Sequence, residues 1–334
     1  MLDKDRRRVL RGLGALTVAS AVPWGKDIHA QTRSMLRYNS PFEIGVINDE
    51  VSQDFELSCK VIAQDFGLRC IELRGMWNRN ILDLDSAQVA EAQRIVSKYG
   101  LRVTDIASPL FKVDWPGAPL SKFAPRHDQF NASYTYAQQD EVLERCIAIA
   151  KAFSTDHVRC FDFWRLDDQA PYREAINHKL LEAATKAGKS GITLMLENEF
   201  ACNTATGAEA AKVMSAVRSP YLKLVWDPAN AEMHGETAFP DGFRLLPKDR
   251  IAHVHCKDVA RNRTGQTEQD WAAVGTGVID WVGQFRALKN DGYHHAVSLE
   301  THWRGAGTAE ASTRQSWAGM KSALEQAGAL SSVA

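Results

Sequence analysis

Eight short apolar runs recur along the chain, most of them followed by a segment with helical periodicity. They are Glu43–Asn48, Cys70–Leu73, Val103–Ala107, His157–Phe161, Ile192–Glu197, Leu222–Asp227, Ile251–His255 and His295–Glu300. Between them, Phe55, Cys59, Ile62 and Phe66 mark one side of a helix, as do Val89, Ala92, Val96 and Tyr99. Trp281, Phe285 and Leu288 mark a later helix, and Trp317, Met320 and Leu324 the last. Asp85 or Ser86 is suited to cap the second helix. Gly67, Gly100, Gly188 and Gly292 fall at helix ends, where glycine takes a positive φ at little cost. Eight alternations over residues 43–328 predict a single α/β domain, a closed (β/α)8 TIM barrel. An open doubly wound sheet would typically carry a glycine-rich phosphate turn after its first strand. Here the first run leads instead into Asn48-Asp49-Glu50-Val51-Ser52.

Ahead of the barrel, Asp5-Arg6-Arg7-Arg8-Val9-Leu10-Arg11 opens a basic leader. An apolar stretch, Gly12 to Val22, and then Ile28-His29-Ala30 complete the pattern of an export signal over residues 1–30. Residues 31–42 read as a linker. Arg6-Arg7 followed by Val9-Leu10-Arg11 resembles a twin-arginine signal, which implies passage of the folded protein through the twin-arginine machinery into the periplasm. The alternative is a basic amphipathic helix. No stretch reaches the ~18 apolar residues of a membrane-spanning helix, so no stable membrane anchor is expected. A net charge of −1 argues against nucleic acid as a partner. The 6 cysteines form no CxxC pair or dense framework and read as buried free thiols.

In a barrel of this kind the active site gathers where strands end. The fifth run ends in Glu197, the sixth in Asp227, the seventh in His255 and the eighth in Glu300. Any one of them alone is an ordinary loop residue. Four consecutive strand ends each delivering a metal-competent side chain are a different matter, since buried charges must be paired or metal-bound. His253 shares a face with His255 but lies deeper, as a supporting or core histidine. Three carboxylates and an imidazole suit Mn²⁺ foremost, with Mg²⁺, Co²⁺ or Zn²⁺ as alternatives. A long connection, residues 108–137, holds Phe111, Lys112, Trp115, Phe123, Phe130, Tyr134 and Tyr136. It reads as a lid over the site, or as an excursion that packs its own aromatics.

The pieces IELRG (Ile71–Gly75), LENE (Leu196–Glu199), DPANA (Asp227–Ala231), HVHCKD (His253–Asp258), GTGVIDW (Gly275–Trp281) and GYHHAVSLE (Gly292–Glu300) together resemble the xylose isomerase-like barrel superfamily. Within it they are most similar to the sugar phosphate isomerase/epimerase group, which includes ketose 3-epimerases and hydroxypyruvate isomerase. The resemblance spans about Ile44 to Ala327. It implies that Glu197, Asp227, His255 and Glu300 are the metal ligands and that Arg261 contacts substrate. It also implies a reaction in which Glu197 and Glu300 remove and return a proton α to a carbonyl, through an enediolate that the metal stabilises. Dimers or tetramers are common in the group, so a homo-oligomer is an expectation. The chain departs from the epimerase pattern at Asn230, where a histidine is usual. Asparagine still hydrogen-bonds to substrate but carries no proton. The multi-zinc endonuclease branch, with its extra histidines, fits less well.

Further candidates for substrate contact are Glu72, Lys257, Trp164 and His302, with Trp303 beside them. Glu72 either binds a substrate hydroxyl or pairs with Arg74 or Arg102. Lys257 shares the face of His255 and either neutralises developing charge or pairs with a site carboxylate. Trp164 and Trp303 either stack on a sugar ring or pack the rim. Export and the missing phosphate loop favour a non-phosphorylated sugar or sugar derivative. The first expectation is thus a metal-dependent sugar isomerase or epimerase. The second is a lyase or dehydratase acting on a keto-sugar or 3-keto-glycoside at the same site. A non-catalytic periplasmic carbohydrate-binding protein ranks last.

Overall fold

The computed structural model describes residues 38–124, 128–262 and 270–333. The leader over residues 1–30 therefore lies outside the described residues. Eight parallel strands form one sheet: β1 (Glu43–Val46), β2 (Cys70–Leu73), β3 (Arg102–Leu110), β4 (His157–Cys160), β5 (Thr193–Glu197), β6 (Leu222–Trp226), β7 (Ile251–Cys256) and β8 (Ala296–Leu299). Each pairs with its sequence neighbour, and β8 pairs with β1. Between β1 and β2 the ring closes through one parallel bridge, Ile47 to Glu72. The expected TIM barrel is present.

The principal helices are α1 (Phe55–Lys60), α2 (Ser86–Lys98), α3 (Gln139–Ala152), α4 (Arg173–Gly188), α5 (Gly207–Ala216), α6 (Pro228–Met233), α7 (Trp281–Asn290) and α8 (Ala309–Gln326). Their starts follow from local chemistry. Asp85 caps α2 and exchanges hydrogen bonds with Gln88, and Thr206 does the same with Glu209 at α5. Their apolar faces bury Ile95, Val96, Phe285, Leu288, Met320 and Leu324 against the barrel. Gly188 departs from expectation. It ends α4 without a positive φ, which Gly191 adopts instead, and its bare Cα is covered by the Tyr221 ring. All six cysteines are free and buried.

Beyond the barrel, Tyr38–Asn39 pairs antiparallel with Ser331–Ser332, so the two described ends are held together. No helix of the described residues is long and apolar enough to cross a membrane. Inside the barrel, Met195, Val225 and Ala252 form a small separate apolar cluster. Side chains alternate along a strand, so Met195 shares a face with Glu197, and Val225 with Asp227. This cluster is the floor on which the polar residues of the strand ends stand.

Candidate metal centre

Three side chains that the sequence does not single out fix the spacing of the strand ends. Asn198, next to Glu197, accepts from the Asp227 backbone N–H (2.8 Å) and donates to the Asp227 carbonyl (2.7 Å). It thereby clamps the end of β5 to the end of β6. Asp258, three residues past His255, accepts from the backbone N–H groups of Val259, Gly275, Gly277 and Ile279. The HVHCKD and GTGVIDW pieces are thus one clasp. Asn48, just past β1, donates to the Gly75 carbonyl and accepts from the Arg74 N–H, which ties the ends of β1 and β2.

Asp227 does two jobs with its two oxygens. Its Oδ1 accepts from the Asn230 N–H (3.0 Å) as the cap of α6, with Pro228 at the first helical position. That leaves Oδ2 to face the site. Glu197, Asp227, His255 and Glu300 are all buried, and one donor atom of each lies within 4.8 Å of the others. His255 Nδ1 stands 3.1 Å from Glu197 Oε1, 3.4 Å from Glu300 Oε2 and 4.0 Å from Asp227 Oδ2. All four expected strand-end residues therefore converge. Among the described residues this is the one such group with four members.

The charges around them are compensated on every side. Lys257 Nζ lies 2.8 Å from Asp227 Oδ2 and 2.9 Å from Glu300 Oε2. Arg159 Nη1 lies 3.1 Å from Glu197 Oε2. Arg74 reaches Glu300 Oε1 at 2.9 Å, Glu50 at 2.6 Å and Asp49 at 2.9 Å. Burial raises the Asp227 carboxyl to about 6, against the pull of Lys257. Burial acts the same way on Glu197, but His255 and Arg159 outweigh it and hold that carboxyl at about 2. Burial disfavours a charged His255, yet Glu72, Glu197 and Glu300 hold its imidazole well above the usual range. One donor atom of each of the three carboxylates and the imidazole converges on one point. Glu197 Oε2 and Asp227 Oδ2 are buried, and for all their nearby cations neither has a hydrogen-bond donor in line. Both observations fit a divalent cation held by the four residues.

The remaining candidates divide. His302 Nε2 is 3.2 Å from Glu300 Oε1, with its ring edge-on to Trp271. Asn230 Nδ2 is 3.3 Å from Glu197 Oε1 and 2.9 Å from the Asn198 carbonyl, and its Oδ1 is buried without a partner. Glu72 pairs with neither Arg74 nor Arg102. It bridges the two histidines, 3.1 Å from His255 Nε2 and 3.0 Å from His253 Nε2. Behind it His253 reaches Asp105, whose carboxyl burial and Glu72 push up to about 7. Trp164 is buried beside Phe161, Ala201 and Cys202. Trp303 packs against the main core. Arg261 is exposed in the loop after β7. The long connection both packs its own aromatics, with Trp115 on Tyr136 and on Phe163, and lays Phe130 over Arg74, Lys112 and Arg159.

A family model described as "Xylose isomerase-like TIM barrel" matches residues 61–323. The chain belongs to that family. A search of curated protein sequences finds no match. Solved structures share the fold at low identity. IolI with a bound zinc atom superposes with a TM-score of 0.65 at 16% identity, covering 86% of this chain and 98% of that one. The probable 3-DHS dehydratase AsbF from Bacillus anthracis gives 0.61 at 17%, covering 84% and 98%. The 3-keto-D-glucoside 4-epimerase YcjR from E. coli gives 0.61 at 16%, covering 84% and 99%.

Proposed function

We propose that the chain is a divalent-metal-dependent isomerase or epimerase of a non-phosphorylated sugar or sugar derivative. The observation that carries this reading is the convergence of Glu197, Asp227, His255 and Glu300 on one buried point. These residues would hold Mn²⁺, or Mg²⁺, Co²⁺ or Zn²⁺ in its place. When bound, such an ion supplies Lewis acidity toward a substrate carbonyl and its neighbouring hydroxyl.

The protein's own residues do the rest. Glu197 and Glu300 come from β5 and β8, with β6 and β7 between them. In this reading they address opposite faces of one substrate carbon. Glu197 is ionised at neutral pH and takes the proton α to the carbonyl. Glu300 returns a proton from the other face. His302 hydrogen-bonds Glu300 and is 26% exposed, which gives that carboxylate a path to solvent for its proton. Return to the same carbon inverts it, and return to the adjacent carbon exchanges aldose for ketose. Asn230 Oδ1, buried and unpartnered, accepts a substrate hydroxyl. Lys257 offsets charge that develops beside Asp227 and Glu300. The fold relatives IolI, with its zinc, and YcjR, an epimerase, accord with this reading. The Arg6-Arg7 leader supports export to the periplasm, where free sugars rather than sugar phosphates are the expected substrates.

Asn230 also favours a second reading. Its amide can hydrogen-bond a β-substituent that the carbanion expels, with Glu300 giving its proton to the departing oxygen instead of to carbon. A keto-sugar or 3-keto-glycoside would then be cleaved by the same Glu197.

Incubation of the purified full chain with free ketoses and 3-keto-glycosides in D₂O tests both readings, alongside metal analysis of wild type and Glu197→Gln. Deuterium in the intact sugar supports the isomerase, and release of the aglycone supports the lyase. A wild-type protein that retains no divalent ion, or that does neither reaction with any substrate offered, overturns the proposal.

A further inference from the structure

Cations gather on one side of the barrel mouth. The metal-competent carboxylates stand on β5, β6 and β8. Facing them, the ends of β2, β3 and β4 supply three buried cations, Arg74, Lys112 and Arg159. Arg74 is saturated by Asp49, Glu50 and Glu300. The other two are not. Among the described residues, Lys112 has one carboxylate oxygen for its three donor hydrogens, Glu199 Oε2 at 3.2 Å. Arg159 gives Nε and Nη2 to the carbonyls of Ser108 and Ala107. Its Nη1 is buried with no hydrogen bond, because the nearby Glu197 Oε2 is out of line.

These two cations share the same two aromatic rings. Lys112 Nζ lies 4.2 Å from the centre of Phe130 and 4.7 Å from that of Phe161. The Arg159 guanidinium is 4.9 Å from each. An aromatic face attracts a cation, but a carboxylate does so more strongly and also satisfies the open donors. Phe130 reaches its place in left-handed backbone (φ 56°), a costly conformation for an aromatic residue, followed by Asn131 (φ 62°), which adopts it readily.

We infer that the substrate carries a carboxylate, received by Lys112 and Arg159 at the position the Phe130 ring holds. The inference rests on the reading of the adjoining carboxylate group as a metal centre and adds the substrate class, a sugar acid or keto-acid derivative. Two donor groups match the two oxygens of a carboxylate. A phosphate would bring a second negative charge against Glu197 and Glu199.

Calorimetric titration of the Mn²⁺-loaded full chain tests the inference, with D-glucuronate, D-galacturonate and D-gluconate as probes. Their neutral counterparts D-glucose, D-galactose and sorbitol serve as a second set, and glucose 6-phosphate as a third. At least one acid is expected to bind tenfold or more tightly than its neutral twin. Lys112→Met is expected to bring the pair within about twofold, Lys112→Arg to keep the preference, and Phe130→Ala to widen it. A preference that survives Lys112→Met reports chelation at the metal end and overturns the inference. So does an equal response, or none, from acids and neutral sugars, or tighter binding of the phosphate. If Lys112→Met does not fold, a preference unmoved by Phe130→Ala overturns it equally. Failure of the wild type to take up Mn²⁺ sinks the metal-centre reading instead, whereas normal uptake without acid preference sinks this inference alone.

Discussion

Nε2 of His255 stands 3.1 Å from Oε1 of Glu72, on the side of the ring away from Glu197 and Glu300. A carboxylate behind a ligating imidazole fixes its tautomer and its orientation. Glu72→Gln is therefore expected to leave the fold intact and to weaken divalent-ion binding by about 10–100-fold. Calorimetric titration with Mn²⁺ measures this directly. Unchanged affinity would mean that Glu72 does not orient the ring.

The four backbone N–H groups on Asp258 predict a stability effect larger than that of a surface carboxylate. Asp258→Ala leaves them without their acceptor, at a cost of about 3 kcal/mol or more. Urea unfolding provides the measurement. A loss within experimental error would show that the clasp between the two loops contributes nothing.

Glu209 links pH to stability. Burial raises its pKa, but hydrogen bonds and charge from Arg165, with the Ala205 N–H, lower it below the usual carboxylate value. A carboxylate that is more acidic in the folded state stabilises it above the unfolded pKa of about 4.3, and this contribution disappears as pH falls through the folded value. Wild type should exceed Glu209→Gln by about 1–2 kcal/mol at pH 7, and the gap should shrink as the pH falls below the unfolded value. Chemical denaturation at pH 7 and at lower pH tests the sign. A gap that widens in acid would contradict it.

Gly319 lies in α8 with the Val274 carbonyl so close that an added Cβ would meet it at 1.8 Å. The atom in the way is backbone, which cannot swing aside. Gly319→Ala is expected to destabilise the protein by about 3 kcal/mol, even though alanine is the better helix former. An alanine variant that melts at or above wild type would refute this close approach.

The sequence showed the eight strands because parallel strands, buried on both faces, read as dense apolar runs. It showed the four site residues because charge at the end of such a run has few structural uses. Arg159 carried the same signal, a charge inside the β4 run, but it stands mid-run rather than at the end and passed for part of the strand. Of the two readings of Glu72, the pairing with Arg74 or Arg102 is the one that fails. Arg74 is nearest in sequence, while the histidines that hold Glu72 come from a strand some 180 positions away in the chain. Asn198, Asp258 and Asn48 left no periodic trace, since a side chain that binds backbone across strand ends is set by three-dimensional register alone. The place of Phe130 was likewise illegible, because which aromatic of a long loop turns inward depends on backbone geometry such as its left-handed φ.

The ring has a weak joint. Every other neighbouring pair of barrel strands shares a ladder of hydrogen bonds, whereas β1 and β2 meet at the single bridge from Ile47 to Glu72. The residue at that joint is also the one that steadies His255. Opening of the barrel at this point would therefore also free the carboxylate that holds the His255 ring. The exchange rate of the amide hydrogens along this seam would read how often that joint parts.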